Sequence, residues 1–135
     1  MLANPATEAS EGLSHIAPVL RVSDISRSLD FYRDRLGFAV EFTYEGFYAG
    51  VCRDGCHIHL KGSPPPPRDQ AAFEREEHID IHIGVQSAET LSERFASAGV
   101  AVVVPLRQMP YGTEFYVRDP DGYILGFVES TTTPA

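Results

Sequence analysis

One order of elements occurs twice in this chain, about 65 residues apart, and that duplication constrains the fold more than any other feature. In the first copy, Ser14 to Val22 reads as a strand. Asp24 then stands where a helix N-cap belongs, with Ile25, Leu29, Tyr32 and Leu36 following at helical spacing and Gly37 as the stop. Three further strands follow at Phe38 to Tyr44, Phe47 to Arg53 and Cys56 to Lys61, joined by turns at Glu45-Gly46 and Asp54-Gly55. The second copy runs from a strand at Glu77 to Gln86 into a helix capped by Ser87, with a face of Ala88, Leu91, Phe95 and Ala98, ended by Gly99. Its strands are Val100 to Leu106, Thr113 to Arg118 and Tyr123 to Glu129, the last two joined by Asp119-Pro120-Asp121-Gly122. Helices covering one face of mostly antiparallel strands make an α+β fold of two βαβββ modules, with a cleft on the face away from the helices. The boundaries read from this are a tail at 1–12, a first module at 13–62, a proline-rich linker at 63–76, a second module at 77–130 and a tail at 131–135. The charged run from Asp69 to Glu77 has room for a short helical turn.

Two strands carry unusual chemistry. Ile58 and Leu60 alternate with His57 and His59, and Ile79, Ile81, Ile83 and Val85 alternate with His78, Asp80 and His82. Successive side chains of a strand point to opposite faces, so the aliphatic residues should pack on the helices and the imidazoles and carboxylate should line the other face. Tyr48 shares that face with Cys52 and the cross-strand His57, whereas Phe47, Ala49 and Val51 face the core. In the Asp54-Gly55 hairpin Cys52 opposes His57 and Arg53 opposes Cys56, which sends the two cysteines to opposite faces and excludes a bridge between them. Cys52 beside His57 is a nucleophile pair only if something orients the imidazole, and the sequence shows nothing that does.

A net charge of −8 without clustered Lys or Arg argues against nucleic acid, and no stretch has the length of a membrane span or the form of a signal peptide. With reduced thiols this points to a cytoplasmic protein. There is no Gly-x-Ser-x-Gly elbow, phosphate-cradling loop or His-Glu-x-x-His motif.

The run Val19-Leu20-Arg21-Val22-Ser23-Asp24-Ile25-Ser26-Arg27-Ser28-Leu29-Asp30-Phe31-Tyr32-Arg33-Asp34-Arg35-Leu36-Gly37-Phe38 resembles the opening of the glyoxalase / bleomycin-resistance / extradiol-dioxygenase superfamily, which has the vicinal oxygen chelate fold. Tyr111-Gly112-Thr113-Glu114-Phe115-Tyr116-Val117-Arg118-Asp119-Pro120-Asp121-Gly122-Tyr123 is similar to the closing hairpin of its bleomycin-resistance-like members. The resemblance implies a homodimer whose clefts are lined by both modules. It places the metal-ligand positions of the metal-dependent members at Ala17, His59, Asp80 and Gly126. Ala17 and Gly126 offer no ligating side chain, so the resemblance favours a metal-free protein that sequesters a small molecule, cationic or aromatic, with no cofactor. The expected ligand-binding residues are His59, Asp80, Tyr48, His57, His82, Tyr111 and Glu114. The alternatives are a lyase, isomerase or dioxygenase holding a divalent metal through His59 and Asp80, with His15 and His82 in reserve, and a non-catalytic interaction domain.

Overall fold

The structure, a computed structural model, describes residues 11–131; the outer parts of the two expected tails, 1–10 and 132–135, lie outside them. The first module consists of β1 (Val19–Val22), α1 (Ile25–Asp30) running into a π-helical stretch (Phe31–Arg35), β2 (Ala39–Tyr44), β3 (Tyr48–Arg53) and β4 (Cys56–Gly62). After a short helix in the linker, α2 (Gln70–Arg75), the second module repeats the order with β5 (Ile81–Gly84), α3 (Ala88–Ser97), β6 (Ala101–Met109), β7 (Gly112–Arg118) and β8 (Ile124–Ser130). The two four-stranded sheets have the same topology, β1-β4-β3-β2 and β5-β8-β7-β6, each with one parallel pair at its edge. This is the expected α+β architecture, with helices packed on the outside of mixed sheets.

Local chemistry sets the element ends. The Asp24 carboxylate accepts the Arg27 N–H and the Ser87 hydroxyl accepts the Thr90 N–H, so each module helix starts at the anticipated cap. Asp54 and Gly55, at φ 50° and 76°, form the left-handed pair that a tight two-residue hairpin requires. That turn fixes the register Cys52 opposite His57 and Arg53 opposite Cys56.

The helix-side faces of both sheets share one core. Leu20, Val22, Tyr32, Leu36, Val51, Ile58 and Leu60 from the first module join Phe95, Phe115, Val117, Leu125 and Phe127 from the second. Fully burying each of these side chains contributes about 1.5–3 kcal/mol. A polar clasp closes the same junction. Tyr32 donates its hydroxyl to Asp119 at 2.8 Å, Ser23 donates its N–H and hydroxyl to Asp121, and the Tyr123 hydroxyl reaches the Arg21 carbonyl at 2.8 Å. Burial is the main cause that pushes the Asp119 carboxyl up to about 6, against the pull of the Tyr32 hydroxyl and the Tyr123 and Asp121 N–H groups.

Two strands are shorter than their alternation suggested. β1 begins at Val19 rather than Ser14, and β5 at Ile81 rather than Glu77. Ile79 therefore does not follow Ile81 and Ile83 onto the helix side. It packs with Phe73 against Val104, Tyr116 and Ile124 on the opposite face. Phe47, expected in the core, sits in the β2–β3 turn, 46% exposed, edge-on to Tyr44.

Candidate functional site

The open face of the first sheet collects imidazoles and aromatic rings, and one irregularity assembles it. β2 carries a bulge between Val40 and Phe42, so that Val40 pairs with Val51 but Phe42 pairs with Gly50 and Tyr44 with Tyr48. In a strand without the bulge, Phe42 would share the helix-side face of Val40. With it, the Phe42 ring lies over Gly50, where even a Cβ would come within 2.3 Å of the ring. Phe42 stacks on Tyr48, with centroids 6.2 Å apart, and meets His59 edge-on at 5.4 Å. The Tyr48 hydroxyl and His59 Nδ1 lie 2.9 Å apart, which fixes the imidazole against the phenol. Phe42 is 39% and Tyr44 59% exposed, so this wall faces solvent in the single chain.

Next to it stands a chain of three polar groups. Glu41, the bulge residue, accepts a hydrogen bond from His57 Nδ1 at 2.8 Å. His57 Nε2 faces the Cys52 sulfur at 3.9 Å. Glu41, Cys52 and His57 each present a ligand atom within 4.8 Å of the other two. His15, from the segment before β1, lays its ring 4.3 Å from that of His57 and 6.4 Å from that of His59.

The corresponding face of the second sheet is filled. Asp80 is gripped by both terminal nitrogens of Arg68 at 2.9 Å, by His78 at 3.1 Å and by the Ile124 N–H at 2.8 Å. Burial alone would raise its pKa, but Arg68, the Ile124 amide and His78 outweigh burial and hold the carboxyl below its ordinary value. Arg68 also donates to the Gly122 carbonyl and lies over the rings of Phe73 and Tyr123. Glu114, only 1% exposed, accepts from Arg107 at 2.8 Å, from the Tyr111 hydroxyl at 2.5 Å and from the Tyr116 hydroxyl at 3.4 Å. The bond to Glu114 pushes the Tyr111 hydroxyl up to about 12. Glu77 clamps the outer edge of Arg107, and the two carboxylates together raise the guanidinium's pKa.

Among the sequence-derived candidates, His59, Tyr48 and His57 thus meet on the first sheet, with His15 above them. Asp80, Tyr111 and Glu114 belong to internal networks of the second module, and His82 is exposed on β5 opposite Gly126. The metal positions implied by the resemblance do not fit a metal. Asp80 is occupied by Arg68, and the space a Gly126 side chain would need is filled by Ile79, whose Cδ1 lies 2.9 Å from a Cβ built there. Phe42 and Glu41 were not visible as site residues, because a bulge has no sequence signature of its own. Gly50 inside a strand was the one available hint of close approach.

A hollow of about 570 Å³ lies away from this face, between the β3–β4 turn and the start of α3, lined by Arg53, Cys56, Thr90 and Arg94 among others. No helix among the described residues is long and apolar enough to cross a membrane.

The family model described as Glyoxalase/Bleomycin resistance protein/Dioxygenase superfamily matches residues 12–127. No curated protein sequence matches the chain. Among solved structures, the bleomycin-binding protein of the bleomycin-producing Streptomyces verticillus, complexed with copper(II)-bleomycin, is 26% identical. Its alignment covers 88% of this chain and 98% of that one, with a TM-score of 0.65. TnmS3, an antibiotic binding protein from a Streptomyces species, is similar in fold at 22% identity and TM-score 0.68, covering 88% and 98% of the two chains. A superfamily member from Alicyclobacillus acidocaldarius is 16% identical with a TM-score of 0.74, covering 87% and 92%.

Proposed function

Because the chain belongs to the glyoxalase/bleomycin resistance protein/dioxygenase superfamily, we propose that it binds a flat, aromatic small molecule on the open face of its first sheet and holds it without bond chemistry. The observation that carries this reading is the wall formed by Phe42, Tyr48 and His59, three rings held in mutual contact, Phe42 exposed and the other two half-buried. Preformed aromatic surface with a few fixed polar groups is what a small-molecule site needs, because ordering it on binding costs little. His57 and the His59 imidazole supply donors or acceptors at the ligand's edge. In the homodimer that the resemblance implies, the exposed Tyr111 and His82 are the second module's candidates for the rim of the cleft. The similarity to a bleomycin-binding protein supports sequestration of an antibiotic-like small molecule as the class of function.

The test is calorimetric titration with bleomycin and a panel of planar heteroaromatic antibiotics. His59→Ala and Phe42→Ala should each weaken binding at least tenfold while leaving the melting temperature nearly unchanged. Equal loss of binding and stability in both variants would overturn the assignment of this face.

A second reading, a metal-dependent lyase, isomerase or dioxygenase, is favoured by one observation: the thiol, imidazole and carboxylate of Cys52, His57 and Glu41 lie within reach of a single ion. Turnover that depends on added metal and disappears in Cys52→Ser would select it over sequestration.

A further inference from the structure

We propose that Cys52 and His57 form a site for a borderline-soft divalent transition ion such as Zn²⁺ or Co²⁺, distinct from the positions the superfamily resemblance marks. It concerns metal binding alone and holds whichever small molecule occupies the aromatic wall.

The Glu41 carboxylate can only accept, so the 2.8 Å contact puts the proton of neutral His57 on Nδ1. Nε2 then carries the lone pair, and it is aimed at the Cys52 sulfur, 3.9 Å away. In a tetrahedral zinc site, with Zn–S of about 2.3 Å and Zn–N of about 2.0 Å, the S···N edge is roughly 3.6 Å. The observed gap is therefore a few tenths of an ångström from that edge, and too long for a strong direct hydrogen bond. A carboxylate behind a ligating imidazole is the arrangement that fixes the ring and raises its basicity toward a metal. Glu41 thus acts behind the ligand rather than as one. A thiolate and an imidazole select zinc-like ions over Mg²⁺ or Ca²⁺, which take oxygen ligands.

The surroundings allow completion of the shell. His15 is exposed, its ring lies against that of His57, and its Nδ1 is 3.0 Å from the Ser14 hydroxyl, which leaves Nε2 as the free donor. A rotation of this ring brings a third ligand to the ion. The fourth position opens toward solvent and the neighbouring His59. Cys56 takes no part: its register partner is Arg53, and its sulfur turns to the Asp54 carbonyl.

The experiment is titration of chelator-stripped, phosphine-reduced chain with Co²⁺, followed by thiolate-to-cobalt charge-transfer absorption in the near ultraviolet and by the intensity of the visible bands. One equivalent should saturate the signal, with visible intensity typical of tetrahedral cobalt, and Zn²⁺ should displace it. Cys52→Ser should abolish the band. His57→Ala and His15→Ala should weaken affinity at least tenfold, and Glu41→Gln severalfold. Cys56→Ser should match the parent. Circular dichroism of each variant confirms that the fold persists. A folded parent with no charge-transfer band, or a band that survives Cys52→Ser, would overturn the site. So would rapid iodoacetamide alkylation of Cys52 without cobalt binding, which assigns the pair as an activated thiol instead. Ligand binding by the stripped protein is measured separately, so either conclusion can fail without the other.

Discussion

The two sheets occupy the same lattice of positions with opposite chemistry. Register equates His59 with Gly126, His57 with Ile124, Tyr48 with Glu114, Gly50 with Tyr116 and Cys52 with Arg118. The second strand of each module even carries a bulge at the same step, Val40/Phe42 in one and Val102/Val104 in the other. Where the first sheet presents a ring, the second presents a glycine, an aliphatic residue or a buried carboxylate, and the gap over Gly50 is filled in the second by Tyr116. The second face is covered by Phe73 of α2, by Ile79 and by the Glu77–Arg107–Glu114 chain; the first leaves Phe42 and Tyr44 exposed and Tyr48, His57 and His59 half-buried. Duplicated backbone therefore does not mean duplicated work: one module offers a surface, and the other spends its equivalent surface on holding the chain together.

The sharpest way to break this comparison is to disturb the filled face. Glu114→Ala removes a fully buried carboxylate from three partners and should cost about 3–4 kcal/mol in urea denaturation. Tyr48→Ala, at the equivalent position of the open face, should cost about 1 kcal/mol. Equal costs would show that the two faces are not divided as described.

The junction gives the next effect. Asp119 titrates near 6 in the fold, above its ordinary value of 3.8, so the folded chain holds the proton more tightly than the unfolded one. The stability this group contributes is full below about pH 4 and is lost as pH rises through 6, a change on the order of 3 kcal/mol. Asp119→Asn does not titrate, so the difference between its stability–pH curve and the parent's should have this size and fall in this window. Parallel curves would remove the buried charge from the account.

Smaller still is the tether. Arg68→Met keeps the stem but drops the bidentate bond to Asp80, and should cost about 2 kcal/mol. The same change should speed proteolysis between Ser63 and His78, read by mass spectrometry of the fragments. Least costly to stability, and most specific to the open face, is Gly50→Ala. Its new Cβ would collide with the Phe42 ring and tilt it off Tyr48. Ligand affinity should fall about tenfold, or about 1.4 kcal/mol, while the second module's amide exchange stays as in the parent.

The repeat, both helix caps, the Asp54-Gly55 turn and the register of Cys52 against His57 were legible in the sequence, because each rests on local rules about residue type and spacing. The family likeness was legible too, in the opening and closing motifs. What could not be read depends on distant partners. Alternation through Ile79 and Asp80 looked like strand, yet β5 begins at Ile81: Asp80 still gives its N–H to the Ile124 carbonyl, but its carboxylate is held by Arg68 and Ile79 packs with Phe73. Glu41 as the group that orients His57 was equally hidden, since only the bulge brings it there.

That bulge has a consequence for how such a surface changes over generations. One additional residue, Glu41, puts Val40 and Phe42 on opposite faces although they stand two apart. Loss of the Glu41 codon would let Phe42 follow Val40 in regular alternation and keep its place opposite Gly50, so the rings would stay where they are and only the carboxylate behind His57 would go. The aromatic wall and the polar triad beside it are thus separable in inheritance: one change of length removes the triad's carboxylate and spares the rings.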